Sequence, residues 1–212
     1  MNTPGAHHFA VVDTELVHHG AVMALRVDRV RMPAGRVTAR EVVEHHGAVA
    51  VVAVDEQDQV LLVHQYRHAV QRRLWELPAG LLDVADEDPV MAARRELAEE
   101  VGVVAQRWSV LVDVAASPGF TDESVRVFLA TGLRDVERPE GGDDEEADLV
   151  VHRVPVADAV AWVLAGEIVN SSTAAGLLAV AAVRAGGGSP RPADAPWTDR
   201  PTRFAARGDR RG

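Results

Sequence analysis

The stretch Gly80-Leu-Leu-Asp-Val-Ala-Asp86-Glu87-Asp88-Pro89-Val-Met-Ala-Ala-Arg-Arg95-Glu96-Leu-Ala-Glu99-Glu100-Val-Gly102-Val103 decides how the rest of the chain is read. Asp88 followed by Pro89 is a helix start, with Asp as N-cap and Pro at the first helical position. Gly102 is placed to end that helix after about Val101. Within it, Glu96, Glu99 and Glu100 stand at i, i+3 and i+4 and share one face. Three stacked carboxylates repel each other and need a cation. Oxygen donors at this density suit a hard divalent ion such as Mg²⁺ or Mn²⁺. Arg95 can orient one carboxylate or offset its charge.

On either side of this helix the pattern is that of strands. Gly47-Ala-Val-Ala-Val-Val-Ala-Val54 is a continuous apolar run, expected to be buried on both faces. Asp55-Glu-Gln-Asp58 turns the chain, Gln59–Arg67 returns, and Leu74-Trp-Glu-Leu-Pro-Ala79-Gly80 leads into the glycine loop. Two strands follow, from Trp108 and from Ser124, with the loop Ser117-Pro118-Gly-Phe-Thr-Asp-Glu123 between them. Leu149–Val154 reads as a strand, Pro155–Leu164 as a helix ended at Gly166, and Thr173–Ala185 as a helix capped by Asn170-Ser-Ser172. Mixed strands with helices on both sides suggest an α/β/α sandwich over residues 44–185. Ahead of it, residues 9–43 alternate and read as three short strands with a turn at Pro33-Ala-Gly35, a small N-terminal antiparallel sheet. Such a sheet is marginal alone and must pack on something. Gly186-Gly-Gly-Ser-Pro begins an Arg/Pro-rich segment, residues 186–212, expected to be a flexible tail.

Composition narrows the chemistry. The chain has 212 residues, no cysteine and no lysine; all 22 basic residues are arginine. Disulfides, thiolate metal sites, thiol nucleophiles, Schiff bases and a P-loop lysine are thereby excluded. A net charge of −10 argues against a general nucleic-acid binder. No apolar run approaches the ~20 residues of a membrane span, and no signal peptide is visible, so a cytoplasmic protein is expected. The pairs His7-His8, His18-His19 and His45-His46 invite a metal reading. Neighbours on a strand point to opposite faces, so surface or packing roles are preferred.

The stretch from Gly80 resembles the Nudix box, Gly-x5-Glu-x7-Arg-Glu-U-x-Glu-Glu-x-Gly-U, with U aliphatic. One departure is visible: six residues, not five, separate Gly80 from Glu87. Asp86 would satisfy the first spacing, but the run to Arg95 would then be one residue too long. We read a one-residue insertion in the loop before the helix, which leaves the Arg-Glu-Leu-x-Glu-Glu core intact and puts only Glu87 in question. A solvated acidic helix face is the plainer reading of any Glu run; nine matching positions weigh against it.

The resemblance implies a pyrophosphate hydrolase using Mg²⁺, with Mn²⁺ as an alternative. Glu96, Glu99, Glu100 and the carbonyl of Ala79 are the implied metal ligands, Glu99 either as ligand or as a partner of one. The missing base would come from a distant acidic loop, Asp143-Asp-Glu145-Glu146, where Glu146 matches best and Glu145 stays open. Further features are similar to the ADP-ribose pyrophosphatase branch: Pro118 sixteen residues past Gly102, Glu123 placed to hydrogen-bond the terminal ribose, and Gln65-Tyr66-Arg67, whose arginine can grip a phosphate bidentately. The Ser-Gln-Pro-Trp-Pro-Phe-Pro run of NADH pyrophosphatases is absent. The branch also implies a homodimer that exchanges its N-terminal sheets, placing Arg40 and Met23 beside the other subunit's adenine. Two alternatives stand beside hydrolysis of ADP-ribose to AMP and ribose 5-phosphate. One is another nucleoside diphosphate sugar or a dinucleotide as substrate. The other is an idle module that binds ADP-ribose or NAD-related ligands, which the intact acidic cluster argues against.

Overall fold

The computed structural model describes residues 7–138 and 149–208. They divide into two units, the first drawn from Met1–Gly47, Ala115–Glu123 and Arg200–Gly212, the second from Ala48–Val114 and Ser124–Asp199.

In the second unit, β4 (Ala48–Val54) lies at the centre of a mixed sheet of order β10-β5-β4-β9-β8-β11. Its neighbours are β5 (Gln59–Arg67), antiparallel, and β9 (Ser124–Asp135), parallel. Outside these run β8 (Val103–Ala115), β10 (Val150–Pro155) and the two-residue β11 (Arg191–Pro192). The apolar run needs two covers, because alternate side chains face opposite ways. Val49, Val51 and Ala53 share a core with Ala92, Ala93, Leu97 and Val101 of α1 (Pro89–Val101). Ala50, Val52 and Val54 share the other with Val156 and Ala159 of α2 (Val156–Ala165) and Leu177 and Val180 of α3 (Ser171–Arg184). The unit is the expected α/β/α sandwich. Its helix ends are as read: Asp88 accepts from the N–H of Val90, Asn170 from that of Thr173, and Gly102 and Gly166 take left-handed φ.

Three strands of the second unit depart from the expectation. The segment read as leading into the glycine loop forms β6 (Arg72–Glu76) on β5 and β7 (Ala79–Leu81) on β4. Nor is the segment after residue 185 a flexible tail within residues 186–199. β11 pairs with β8, and the buried guanidinium of Arg126 donates to the carbonyls of Ala195 and Pro196 at 2.6 and 3.0 Å. Trp197 lies over that guanidinium and donates to Ser124. Burial of Arg126 demands acceptors, and this segment supplies two of them.

The first unit holds the three-stranded antiparallel sheet β1 (Val11–His19), β2 (Met23–Arg31) and β3 (Val37–His45). The loop 117–122 bonds to β3, Val43 N–H donating to Phe120 and Asp122 N–H to Val43. Here too the late segment is folded: α4 (Arg203–Ala206) buries Phe204 against His19 and His46, and Arg207 reaches Glu44. Glu44 is fully buried and held by both Arg26 and Arg207.

Candidate active site

Helix α1 and strand β7 build the site in the second unit. β7 sets Ala79 opposite Ala50 and Gly80 opposite Val49 of β4. The absence of a side chain at Gly80 is used directly: a Cβ there would stand 2.0 Å from the carboxyl carbon of Glu96 and 2.0 Å from its Oε1. Glu96 therefore lies flat against the backbone of the loop. Glu100, 8% exposed, turns its Oε2 to the N–H of Ala79 at 2.8 Å. Arg138 donates to the backbone carbonyl of Glu100.

Arg95 binds three carboxylates at once. Its Nε and Nη2 donate to Glu87 at 3.2 and 3.1 Å, and its Nη1 to Glu96 at 2.8 Å and to Glu99 at 3.0 Å. The hydrogen bonds Arg95 donates to Glu87 are the largest cause of its raised pKa. Glu87, the position in question, thus keeps its place beside the helix. Asp86 explains how: it takes a left-handed φ of 60° in the turn before the helix, which accommodates the extra residue. Burial pushes the Glu96 carboxyl above its ordinary value, and Arg95 pulls it back only in part.

Among the described residues, no three His, Asp or Glu side chains are gathered into a metal-holding group. The reason is local: Arg95 stands between Glu96 and Glu99, and Glu100 is turned to Ala79. The donor set still fits a hard cation. All its side-chain donors are carboxylate oxygens, the groups such ions prefer. Glu96 is a half-buried carboxylate whose environment disfavours its charge, and the missing side chain at Gly80 is what lets it lie against the loop.

Of the remaining residues expected from sequence, Arg67 is engaged with Glu76, Nη2 to Oε2 at 2.7 Å and Nε to Oε1 at 3.1 Å. Four others lie in the first unit. Met23 pairs with His45 across β2 and β3. His45 Nδ1 is 3.9 Å from Glu123 Oε1 and its N–H donates to Asp122, so Met23, His45 and Glu123 come together. Pro118 shapes the turn in which Ser117 accepts from the N–H groups of Phe120 and Thr121. Arg40 is exposed on β3 and donates to the carbonyl of Ala39. Glu145 and Glu146 lie outside the described residues. Sequence reasoning missed Glu76, Thr173 and His45 as neighbours of these groups. Glu76 was within reach, standing opposite Val63 in the hairpin that ends at Arg67.

The family described as NUDIX domain matches residues 44–172. An ADP-ribose pyrophosphatase of Mycobacterium tuberculosis (strain ATCC 25618 / H37Rv) is 59% identical over 95% of this chain and 97% of its own length. A methanol dehydrogenase activator of Bacillus methanolicus is 37% identical over 76% of this chain and 86% of its own. The crystal structure of an ADP compounds hydrolase superposes with a TM-score of 0.75 over 88% of this chain and 99% of that one, at 21% identity, a likeness of fold.

Proposed function

We infer the activity from one premise: this chain belongs to the Nudix family. It hydrolyses the pyrophosphate bond of ADP-ribose, giving AMP and ribose 5-phosphate. The observation that carries this reading is the Glu96–Glu99–Glu100 face of α1 laid against the Ala79–Gly80 loop, in a chain 59% identical to an ADP-ribose pyrophosphatase over nearly its whole length.

The carbonyl of Ala79 and the carboxylates of Glu96, Glu99 and Glu100 would hold the divalent ion, Mg²⁺ by our reading, with Mn²⁺ able to replace it. When bound, the ion neutralises charge on the pyrophosphate and acidifies the attacking water. Glu146 takes the proton from that water, with Glu145 as the neighbouring alternative. A P–O bond of the P–O–P bridge breaks as the water oxygen bonds to phosphorus. Arg95 keeps Glu96 and Glu99 from repelling one another while the site is unloaded. Arg67 grips a phosphate, Glu123 and Pro118 shape the pocket for the terminal ribose, and Arg40 and Met23 meet the adenine. The working form is a homodimer of two chains exchanging their N-terminal sheets, acting in the cytoplasm. Exposed Val11, Val12, Leu16 and Val17 on β1 support a covered sheet. No helix among the described residues is long and apolar enough to cross a membrane.

A panel of nucleoside diphosphate sugars and dinucleotides tests the reading, with Mg²⁺ and phosphatase-coupled phosphate release. ADP-ribose should lead in kcat/KM. Another leading substrate would move the assignment within the family. Binding of ADP-ribose without turnover would favour the idle module. For the base, Glu146→Gln should lower kcat strongly at little cost in KM, and Glu145→Gln should do much less.

A further inference from the structure

The geometry assigns Thr173 the task of positioning the loop from Leu77 to Gly80, and with it the Ala79 carbonyl, for the cation. The inference rests on Ala79 being a ligand, as proposed above.

Three consecutive backbone positions of this loop are fixed by three different elements. Leu77 is 1% exposed, so its N–H needs a protein partner. That partner is the hydroxyl of Thr173 on α3, which accepts it at 2.9 Å and is itself fully buried. Pro78 has no N–H to satisfy, and its carbonyl accepts from Val51 of β4 at 2.9 Å. Ala79 N–H donates to Glu100 of α1. Pro78 also restricts Leu77 to extended conformations. The loop is therefore held by α1 at Ala79 and by α3 two residues earlier, from the two faces of the sheet.

The approach of α3 is close because Gly176 permits it. A Cβ there would lie 2.9 Å from Leu77 Cδ1, Val52 Cγ2 and Val127 Cγ1. Leu177 and Val180 already anchor the helix in the core. Thr173 adds something different: an acceptor aimed at one backbone N–H, two residues before Ala79. Its own N–H is capped by Asn170 at 3.0 Å, which fixes the first turn that carries the hydroxyl. Thr173 is thus a positioning residue, acting on the site through the loop.

Thr173→Val keeps the side chain's shape and deletes the acceptor; Thr173→Ser restores it. Mn²⁺ affinity would be read by electron paramagnetic resonance without substrate, alongside kcat and KM for ADP-ribose and the urea midpoint. Thr173→Val should weaken Mn²⁺ binding about tenfold and lower kcat more than it raises KM, a cost typical of groups that support metal ligands. Thr173→Ser should recover both. Val180→Ala loosens the same helix elsewhere, and should lower the urea midpoint with Mn²⁺ affinity kept. Wild-type Mn²⁺ affinity in Thr173→Val, or an equal loss in Val180→Ala, overturns the assignment. Glu96→Gln separates the two levels. If it binds Mn²⁺ like wild type, the metal-site reading falls; if it alone weakens binding, only the role of Thr173 falls. One arm needs no variant to fold. By reciprocity, saturating Mg²⁺ should slow amide exchange at Leu77 in the unaltered protein, and unchanged exchange overturns the coupling.

Discussion

Gly80 and Glu96 compete for one space, and the glycine yields it. Gly80→Ala would put a methyl 2.0 Å from the Glu96 carboxyl, so the helix face or the loop must move. Activity should fall at least ~10²-fold, the loss expected when a charge-stabilising group is displaced. Circular dichroism should show the helices kept; wild-type turnover in Gly80→Ala would refute the close approach as a functional feature. Glu100→Gln tests the other contact. It removes one charge and keeps the side chain's shape, and should cost at least ~10²-fold in kcat/KM. Limiting Mg²⁺ makes this test sharp: a wild-type rate there would mean the metal lies elsewhere. That Glu96, Glu99 and Glu100 share one face of α1 is legible in the sequence, because they stand at i, i+3 and i+4 of a helix whose cap and stop are also written there. The place of Glu87 is not, since spacing alone does not show that Asp86 takes a left-handed turn to accommodate the extra residue.

Helix α1 was read correctly from its cap to Gly102, whereas β8, expected from Trp108, already begins at Val103. β6 and β7 were missed because they are short and carry a proline between them, leaving no alternation to see. The segment after Arg184 was misread for another reason. Its Arg, Pro and Gly content is that of a disordered chain, while its contacts depend on distant single groups: Asp113, Arg126 and Glu44. Glu44 makes this testable. The hydrogen bond from Arg207 is the main cause of its lowered pKa, with Arg26 adding to it against the effect of burial. A carboxylate held below its ordinary value contributes stability at pH above the unfolded value of about 4.3, lost as pH falls through the folded value. Arg207→Ala should destabilise the first unit by about 2–3 kcal/mol at pH 7, less than for an unpaired buried charge because Arg26 remains. Urea midpoints between pH 3 and 7 should also flatten in the variant. An unchanged pH profile would place the acid sensitivity elsewhere.

The residues proposed for metal and substrate fall in two units, Glu96, Glu99 and Glu100 in one and Arg40, Met23 and Glu123 in the other. An exchanged dimer predicts that they serve each other in trans. Light scattering should give about twice the 22.8 kDa chain mass. Arg40→Ala and Glu100→Gln chains, unfolded and refolded together, should regain part of the activity each lacks alone. A monomer would dispose of the exchange; a dimer without rescue would dispose only of the shared site. Time enters through the Glu44–Arg207 contact. The two residues stand 163 positions apart. At roughly 5–20 residues per second, the ribosome needs roughly 8–30 s to travel from one to the other. The sheet that holds Glu44 is thus made well before the arginine that completes its charge. For that interval its most buried carboxylate has Arg26 alone, and a chain released early keeps that deficit for its lifetime.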